Sequence, residues 1–179
     1  GGMEFIRGAV RTCAVSLAHT DATYAQAMQA FEAGASQVTH LFNAMPAFHH
    51  RQPGVIGAAF DAARYVELIS DGVHVHPAVI KILLRAKGPE RVVLVSDAAP
   101  LAGMPEGEYE WEHKIITVHD GSCRLADGTI AGAHALLDTG VRTLVERVGL
   151  SLTDALAPAT SNPARVLGLR QGCLSPGCL

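Results

Sequence analysis

Four residues with useful chemistry stand at or just past the ends of short apolar runs in this sequence: His19, His40, His74 and Asp97. Neutral imidazole is a common ligand of zinc, and a nearby carboxylate can act as a base toward a metal-bound water. The four residues are therefore candidates for a metal-assisted hydrolytic site. A histidine at a strand end can also be purely structural, and Asp97 can simply cap a helix, so both interpretations stay open on pattern alone.

The elements that carry these residues alternate between strands and helices. The apolar runs, at Ala14–Ala18, Val38–Phe42, Tyr65–Ser70 and Arg91–Ser96, are predicted strands. Near-continuous apolar strands separated by helices indicate β/α units and a parallel sheet. The carboxyl ends of such strands meet at one edge, as in the active sites of (β/α)8 barrels. A Rossmann-like sheet would also place ligands there, but its Gly-rich phosphate loop is absent from this sequence.

The predicted helices have recognisable boundaries. One helix is predicted to begin after an N-cap at Asp21 and to end near Ala33, before Gly34. Another is predicted from Pro77 to Gly88, because proline favours the first turn and glycine the end. Residues 101–129 differ, with Gly, Pro and the pair Asp120-Gly121, and they predict a hairpin insertion. Further short helices are predicted within residues 140–148, 152–157 and 160–169.

Composition narrows the class of protein. The 179 residues are 49 % hydrophobic and 17 % charged, with a formal net charge of −3, which is typical of a folded globular domain. The 14 lysines and arginines form no basic stripe, so nucleic acid is not an expected partner, and no apolar run reaches the length of a membrane span. The four cysteines form no C-x-x-C pair, which favours reduced thiols and a cytoplasmic protein.

Five separated blocks of the sequence resemble those of the N-acetylglucosamine-6-phosphate deacetylase family of the amidohydrolase superfamily. The blocks follow the order of that family and cover almost the whole chain. They read SLAHTDATYAQAMQAFEAGASQVTHLFNAMPAFHHRQPG, ELISDGVHVHP, LVSDA, ADGTIAGA and ATSNPARVLGL.

The resemblance implies an α/β fold, namely a (β/α)8 TIM-type metal-dependent hydrolase barrel. It implies that His19 and His40 bind a divalent metal, with zinc expected first and iron, cobalt or manganese as alternatives. Asp97 corresponds to the acid/base aspartate of metal-assisted amide hydrolysis. Asp71 and His74 belong to a substrate loop whose histidine contacts the acetyl carbonyl or a hydroxyl.

The same resemblance implies a phosphosugar substrate, N-acetylglucosamine 6-phosphate. Asn43 and Ala44 correspond to the pair that contacts its phosphate. Arg51 corresponds to an arginine that binds phosphate, in dimeric members across the subunit interface, and its planar fork suits that ligand. Ile130, Ala131 and Gly132 correspond to a loop that closes over the sugar. A homodimer is expected of the full-length enzyme.

The chain also departs from the family. A metal-ligating glutamate is expected upstream of Gly1, and a whole barrel needs about 250 residues. We therefore expect a partial barrel truncated at both ends, with residues 1–170 forming the barrel part and 171–179 the start of a truncated small β-domain. Two alternatives remain, namely an amidohydrolase with another substrate and a non-catalytic remnant or binding module.

Overall fold

The computed structural model describes residues 1–177. Its first part alternates helices with short strands, as the apolar runs predict. The elements are α1 (Gly2–Ala9), β1 (Ser16–Leu17), α2 (Tyr24–Glu32), β2 (Gln37–Val38), α3 (Gly54–Ala62), β3 (Tyr65–Leu68), α4 (Pro77–Lys87) and β4 (Val92–Leu94), with a 3-10 turn at Pro89–Arg91 before β4.

These four strands form one parallel sheet in the order β1-β2-β3-β4. Side chains alternate between its two faces. One face packs against the helices and forms the main core, with buried residues that include Val38, Val66, Leu83 and Val92. The other face bears Ser16 and Thr39, whose hydroxyl oxygens lie 2.7 Å apart.

The strands are shorter than the apolar runs predict. The run Val38–Phe42 was expected to be a strand, but β2 ends at Val38 because the backbone of His40 and Phe42 is left-handed, with φ of 32° and 81°. Strand geometry requires a negative φ. The predicted N-cap Asp21 was also wrong. The Thr23 side chain caps α2 instead, because it accepts a hydrogen bond from the Gln26 amide.

A second sheet follows along the chain. It contains β5 (Gly107–Trp111), β6 (Lys114–His119), β7 (Ser122–Leu125) and β8 (Ile130–Ala133), all antiparallel and paired in sequence order. Its small core includes Ile116, Val118 and Cys123. The two sheets are joined where the Ala99 amide donates to the Ala133 carbonyl and the Ala133 amide donates to the Asp97 carbonyl, each at 2.8 Å.

The last helices return to the parallel sheet. They are α5 (Leu137–Thr143), which continues as a π-helical turn at Leu144–Val148, then α6 (Leu152–Leu156) and α7 (Ser161–Val166). The buried Asn162 side chain donates to the carbonyls of Pro89 and Val92 at 2.8 and 2.7 Å, and so ties α7 to β4. Residues 171–177 form turns and bends. The predicted β-domain at 171–179 includes residues 178 and 179, which lie outside the described residues.

Two further predictions concern the environment of the chain. Across residues 1–177, no helix combines the length and the apolar character needed to cross a membrane. Cys13 and Cys123 are free thiols, whereas Cys173 is disulfide-bonded, against the expectation of reduced cysteines.

Candidate active site

The carboxyl edge of the parallel sheet opens into a cavity of about 570 Å³ between the two sheets. Its lining contains every strand-end residue singled out in the sequence, together with Thr129 and the first three residues of β8. The lining residues are His19, His40, Asn43, Ala44, His74, Asp97, Ala98, Ala99, Pro100, Thr129, Ile130, Ala131 and Gly132.

His19 and His40 face each other across this cavity. Their Nε2 atoms lie 2.9 Å apart, with ring planes inclined by 63°. His40 is buried, with 5 % of its surface exposed, and its Nδ1 has no hydrogen-bond partner, while His19 is exposed. Two imidazole nitrogens that converge on one point fit the donor set of a divalent metal. Across residues 1–177, however, no three His, Cys, Asp or Glu side chains gather closely enough to hold an ion.

The backbone at these positions is strained. His19, His40 and Asp97 have φ values of 45°, 32° and 50°. Residues other than glycine seldom adopt this region, and such outliers concentrate at functional sites. The left-handed turn after β2 carries His40, whose ring lies with its centroid 4.8 Å from that of His19.

His74 is held by Asp71. Its Nδ1 lies 2.7 Å from Asp71 Oδ2, while Asp71 Oδ1 accepts the amides of Val73 and His74 at 2.9 Å. Burial acts to raise the pKa of Asp71, but the hydrogen bonds from His74 and Val73 outweigh it and lower that pKa below its ordinary value. An ionised Asp71 accepts a proton-bearing Nδ1, so Nε2 is the His74 nitrogen available to a ligand.

Gly132 fits closely against Asp97. Its φ is 99°, and a Cβ at this position would lie 3.1 Å from the Ala99 Cβ and 3.2 Å from the Asp97 carbonyl oxygen. Glycine therefore allows β8 itself to lie directly over the end of β4.

Arg51 is a predicted site residue that does not line this cavity. It is exposed and lines a different cavity, of about 620 Å³, beside the N-terminal ends of α2 and α3. Its Nη1 lies 2.7 Å from His50 Nε2. Within one copy of the chain, Arg51 and the His19–His40 pair thus lie in separate cavities.

Sequence reasoning overlooked Glu67, a half-buried acid on β3. Burial raises the pKa of its carboxyl, and hydrogen bonds from the His40 backbone N–H and the Thr39 hydroxyl offset part of the rise. The signal was present in the sequence, because Glu67 is a lone charge in the apolar run YVELI.

Comparison with known proteins identifies the family to which this chain belongs. Residues 9–179 match the amidohydrolase family. The chain is 41 % identical over 166 residues to N-acetylgalactosamine-6-phosphate deacetylase of Escherichia coli O157:H7, covering 91 % of this chain and 44 % of that protein. It is 41 % identical over 165 residues to N-acetylglucosamine-6-phosphate deacetylase of Bacillus subtilis (strain 168), covering 90 % and 42 %.

Solved structures agree with this assignment. The N-acetylglucosamine-6-phosphate deacetylase of Pasteurella multocida superposes with a TM-score of 0.92 at 35 % identity, over 99 % of this chain and 48 % of that one. The chain therefore spans about half the length of the relatives that it matches. The match over residues 9–179 shows that this chain belongs to the amidohydrolase family.

Proposed function

We propose that this chain provides part of the active site of a metal-dependent deacetylase that hydrolyses the acetamide of N-acetylglucosamine 6-phosphate to glucosamine 6-phosphate and acetate. The observation that carries the proposal is the convergence of His19, His40, His74 and Asp97 on one cavity. The four parallel strands are half the number in an eight-stranded barrel. We therefore infer that the fold is part of a (β/α)8 barrel.

His19 and His40 are the residues that would hold the metal, and zinc is the ion that we propose first. A divalent ion there supplies Lewis acidity, which makes a water molecule more acidic and polarises the acyl carbonyl. Asp97 accepts the proton of the attacking water and returns it to the departing amine. His74, held by Asp71, faces the carbonyl oxygen through Nε2 and stabilises the negative charge that develops there.

Substrate positioning completes the proposal. Asn43 and Ala44 contact the phosphate. Ile130, Ala131 and Gly132, predicted as a loop, lie in the strand β8 and cover the sugar. Arg51 faces a different cavity, so we propose that it binds the phosphate held by a partner subunit in a homodimer. Such a division is consistent with its exposure in a single chain. We also propose that the protein is located in the cytoplasm.

A second substrate is favoured by one comparison. A relative with 41 % identity is named N-acetylgalactosamine-6-phosphate deacetylase. The two sugars differ only in the configuration at C4, so both present the same acetamide and phosphate. The choice between them depends on contacts with the C4 hydroxyl.

The test is acetate release by the natural gene product that contains residues 1–179, with zinc and after chelation. We expect the protein to hydrolyse at least one of the two phosphorylated sugars, N-acetylglucosamine 6-phosphate and N-acetylgalactosamine 6-phosphate. We expect kcat/KM for unphosphorylated N-acetylglucosamine to be at least a hundredfold lower. Equal rates on phosphorylated and unphosphorylated sugar would show that Asn43, Ala44 and Arg51 do not bind a phosphate group of the substrate. Undiminished activity without metal would exclude the metal-assisted mechanism.

A further inference from the structure

The segment that follows β4, residues 97–104, forms one side of the cavity. Its first four residues line the cavity directly. Ala99 and Leu101 are buried in the small core of the antiparallel sheet, so the segment packs against that sheet as well as following β4. Its position therefore depends on contacts with the antiparallel sheet.

The last residue of β8 bonds the near end of this segment. The Ala133 amide donates to the Asp97 carbonyl, and the Ala133 carbonyl accepts the Ala99 amide, each at 2.8 Å. Asp97 has a left-handed backbone, with a φ of 50°. A residue other than glycine keeps such a conformation only where the surrounding structure holds it. The contacts with Ala133 provide that restraint while the segment stays against β8.

The next residue, His134, bonds the far end of the segment. Its backbone carbonyl accepts the Gly103 amide at 3.2 Å, and its Nε2 lies 2.9 Å from the Met104 carbonyl oxygen. A carbonyl oxygen only accepts hydrogen bonds, so His134 donates from Nε2. Any residue at this position would supply the backbone carbonyl. The bond to Met104, by contrast, needs a side chain that carries a donor at this reach.

We propose that His134 is a positioning residue, which fastens Met104 and so keeps residues 97–104 against the end of β8. With both ends of the segment held, the backbone of Asp97 is fixed and its carboxylate stays at the cavity. A small displacement of a reacting group lowers the rate strongly, so this contact matters for proton transfer. The inference rests on the acid/base role of Asp97 in the proposed function.

The first experiment does not depend on activity. Hydrogen–deuterium exchange is followed by mass spectrometry in the natural gene product and in His134→Ala. We expect residues 97–104 to exchange at least about fivefold faster in the variant, because the segment opens more often. Residues 114–125 of the same sheet are the internal control and should exchange at the same rate. His134→Gln, which keeps a side-chain N–H donor, should retain most of the protection.

The second experiment measures kcat on N-acetylglucosamine 6-phosphate. We expect His134→Ala to lower kcat about tenfold, and His134→Gln to stay within about threefold of the wild type. His113→Ala, at an exposed hairpin turn, is the control and should leave kcat unchanged. The unfolding midpoints of all three variants should stay near that of the wild type.

A double-mutant cycle shows whether His134 acts through Asp97. In the Asp97→Asn background, His134→Ala should lower the residual kcat by less than about twofold, because the group that it positions is already lost. A loss that is the same in both backgrounds would mean that His134 affects the reaction by another route.

Four outcomes would overturn the inference: unchanged exchange of residues 97–104, unchanged kcat in His134→Ala, equal losses in His134→Ala and His134→Gln, or a loss that persists in Asp97→Asn. Should His134→Ala fail to fold, His134→Asn replaces it, because its amide nitrogen lies nearer the backbone. A wild-type protein without deacetylase activity would instead refute the proposed function. The exchange measurement would then still decide whether His134 fastens the segment.

Discussion

The two sheets of this molecule both contain non-glycine residues with a left-handed backbone, but for different reasons. In the antiparallel sheet these residues occupy the two-residue turns of its hairpins. In the parallel part they follow the strand ends and line the cavity or adjoin it. The first group is Glu112, His113 and Asp120, and the second is His19, His40, Phe42, Ala44 and Asp97.

The two groups therefore have different reasons for a left-handed backbone: turn geometry in the hairpins, and the position of the side chain at the strand ends. A two-residue hairpin turn needs positive φ because only that twist matches the flanking strands. A strand that leads into a helical crossover has no such need. Left-handed residues at the ends of β1, β2 and β4 are therefore explained by what their side chains reach. This contrast yields the following predictions.

The sharpest test exchanges aspartate for asparagine at Asp97 and, as a control, at Asp120, whose φ values are 50° and 48°. We expect Asp97→Asn to lower kcat by about 10²–10⁴-fold, because the proposed general acid/base is lost. Asp120→Asn should leave kcat unchanged. Steady-state kinetics on the phosphosugar, with zinc content measured in parallel, checks this. Comparable kcat in the two variants would show that the left-handed residues at the strand ends are no more important for activity than those in the hairpin turns.

The junction of the two sheets can be tested at Gly132. Gly132→Ala should reduce the free energy of unfolding by about 2 kcal/mol. The added Cβ makes a close contact, and alanine is strained at the left-handed φ of this position. Gly121→Ala is the matched control. Its φ is 72° but nothing lies within 4 Å, so only about 1 kcal/mol should be lost. Urea unfolding measures both, and equal losses would show that the junction adds no constraint.

The parallel part also depends on a buried lysine. Lys87 Nζ donates to the carbonyls of Ala59 and Phe60 at 2.8 and 3.0 Å, at the end of α3. Lys87→Met should destabilise the fold by about 1–3 kcal/mol, because these carbonyls lose their donor. Lys81→Met, on the exposed side of the same helix, should change stability by less than about 0.5 kcal/mol. An equal effect of both substitutions would rule out the capping role.

Asp71 makes the stability of the cavity region depend on pH. Its folded-state pKa lies below the ordinary 3.8, so the folded protein binds fewer protons there than the unfolded chain. Its contribution is fully present above pH 3.8 and is lost as the pH falls through the lowered pKa. The stability difference between wild type and Asp71→Asn should therefore be constant from pH 7 to about 5 and shrink toward pH 3. A difference that does not vary with pH would contradict this.

The smallest effect is expected in the hairpin turn between β5 and β6. His113→Gly should leave activity unchanged and raise the free energy of unfolding by at most about 1 kcal/mol, because glycine adopts a φ of 62° without strain. Thermal unfolding measures the gain. A loss of activity in this variant would show that the turn serves more than geometry.

Sequence reasoning predicted α4 closely, because Pro77 and Gly88 mark its ends. It overlooked α3, whose segment begins with Pro53-Gly54 and is apolar around most of its circumference, so it shows no amphipathic period. The strand ends were predicted less well. Left-handed backbone at His40 depends on contacts with the neighbouring strand, which local sequence does not reveal.

The composition of the cavity could be predicted, whereas its geometry could not. Residues at the carboxyl edge of parallel strands must meet, so the sequence alone was enough to group His19, His40 and Asp97. The separate position of Arg51 and the contacts of Glu67 depend on three-dimensional packing.

The left-handed backbone at His40 also sets the thermal stability of this protein against its proposed metal site. Replacing His40 with glycine would relieve strain of about 1–3 kcal/mol, which makes the position attractive to anyone seeking a hardier variant. That substitution would also remove the imidazole that we propose as a metal ligand. A screen for thermal stability alone would therefore select against the proposed metal site, so stability and metal binding would have to be selected together.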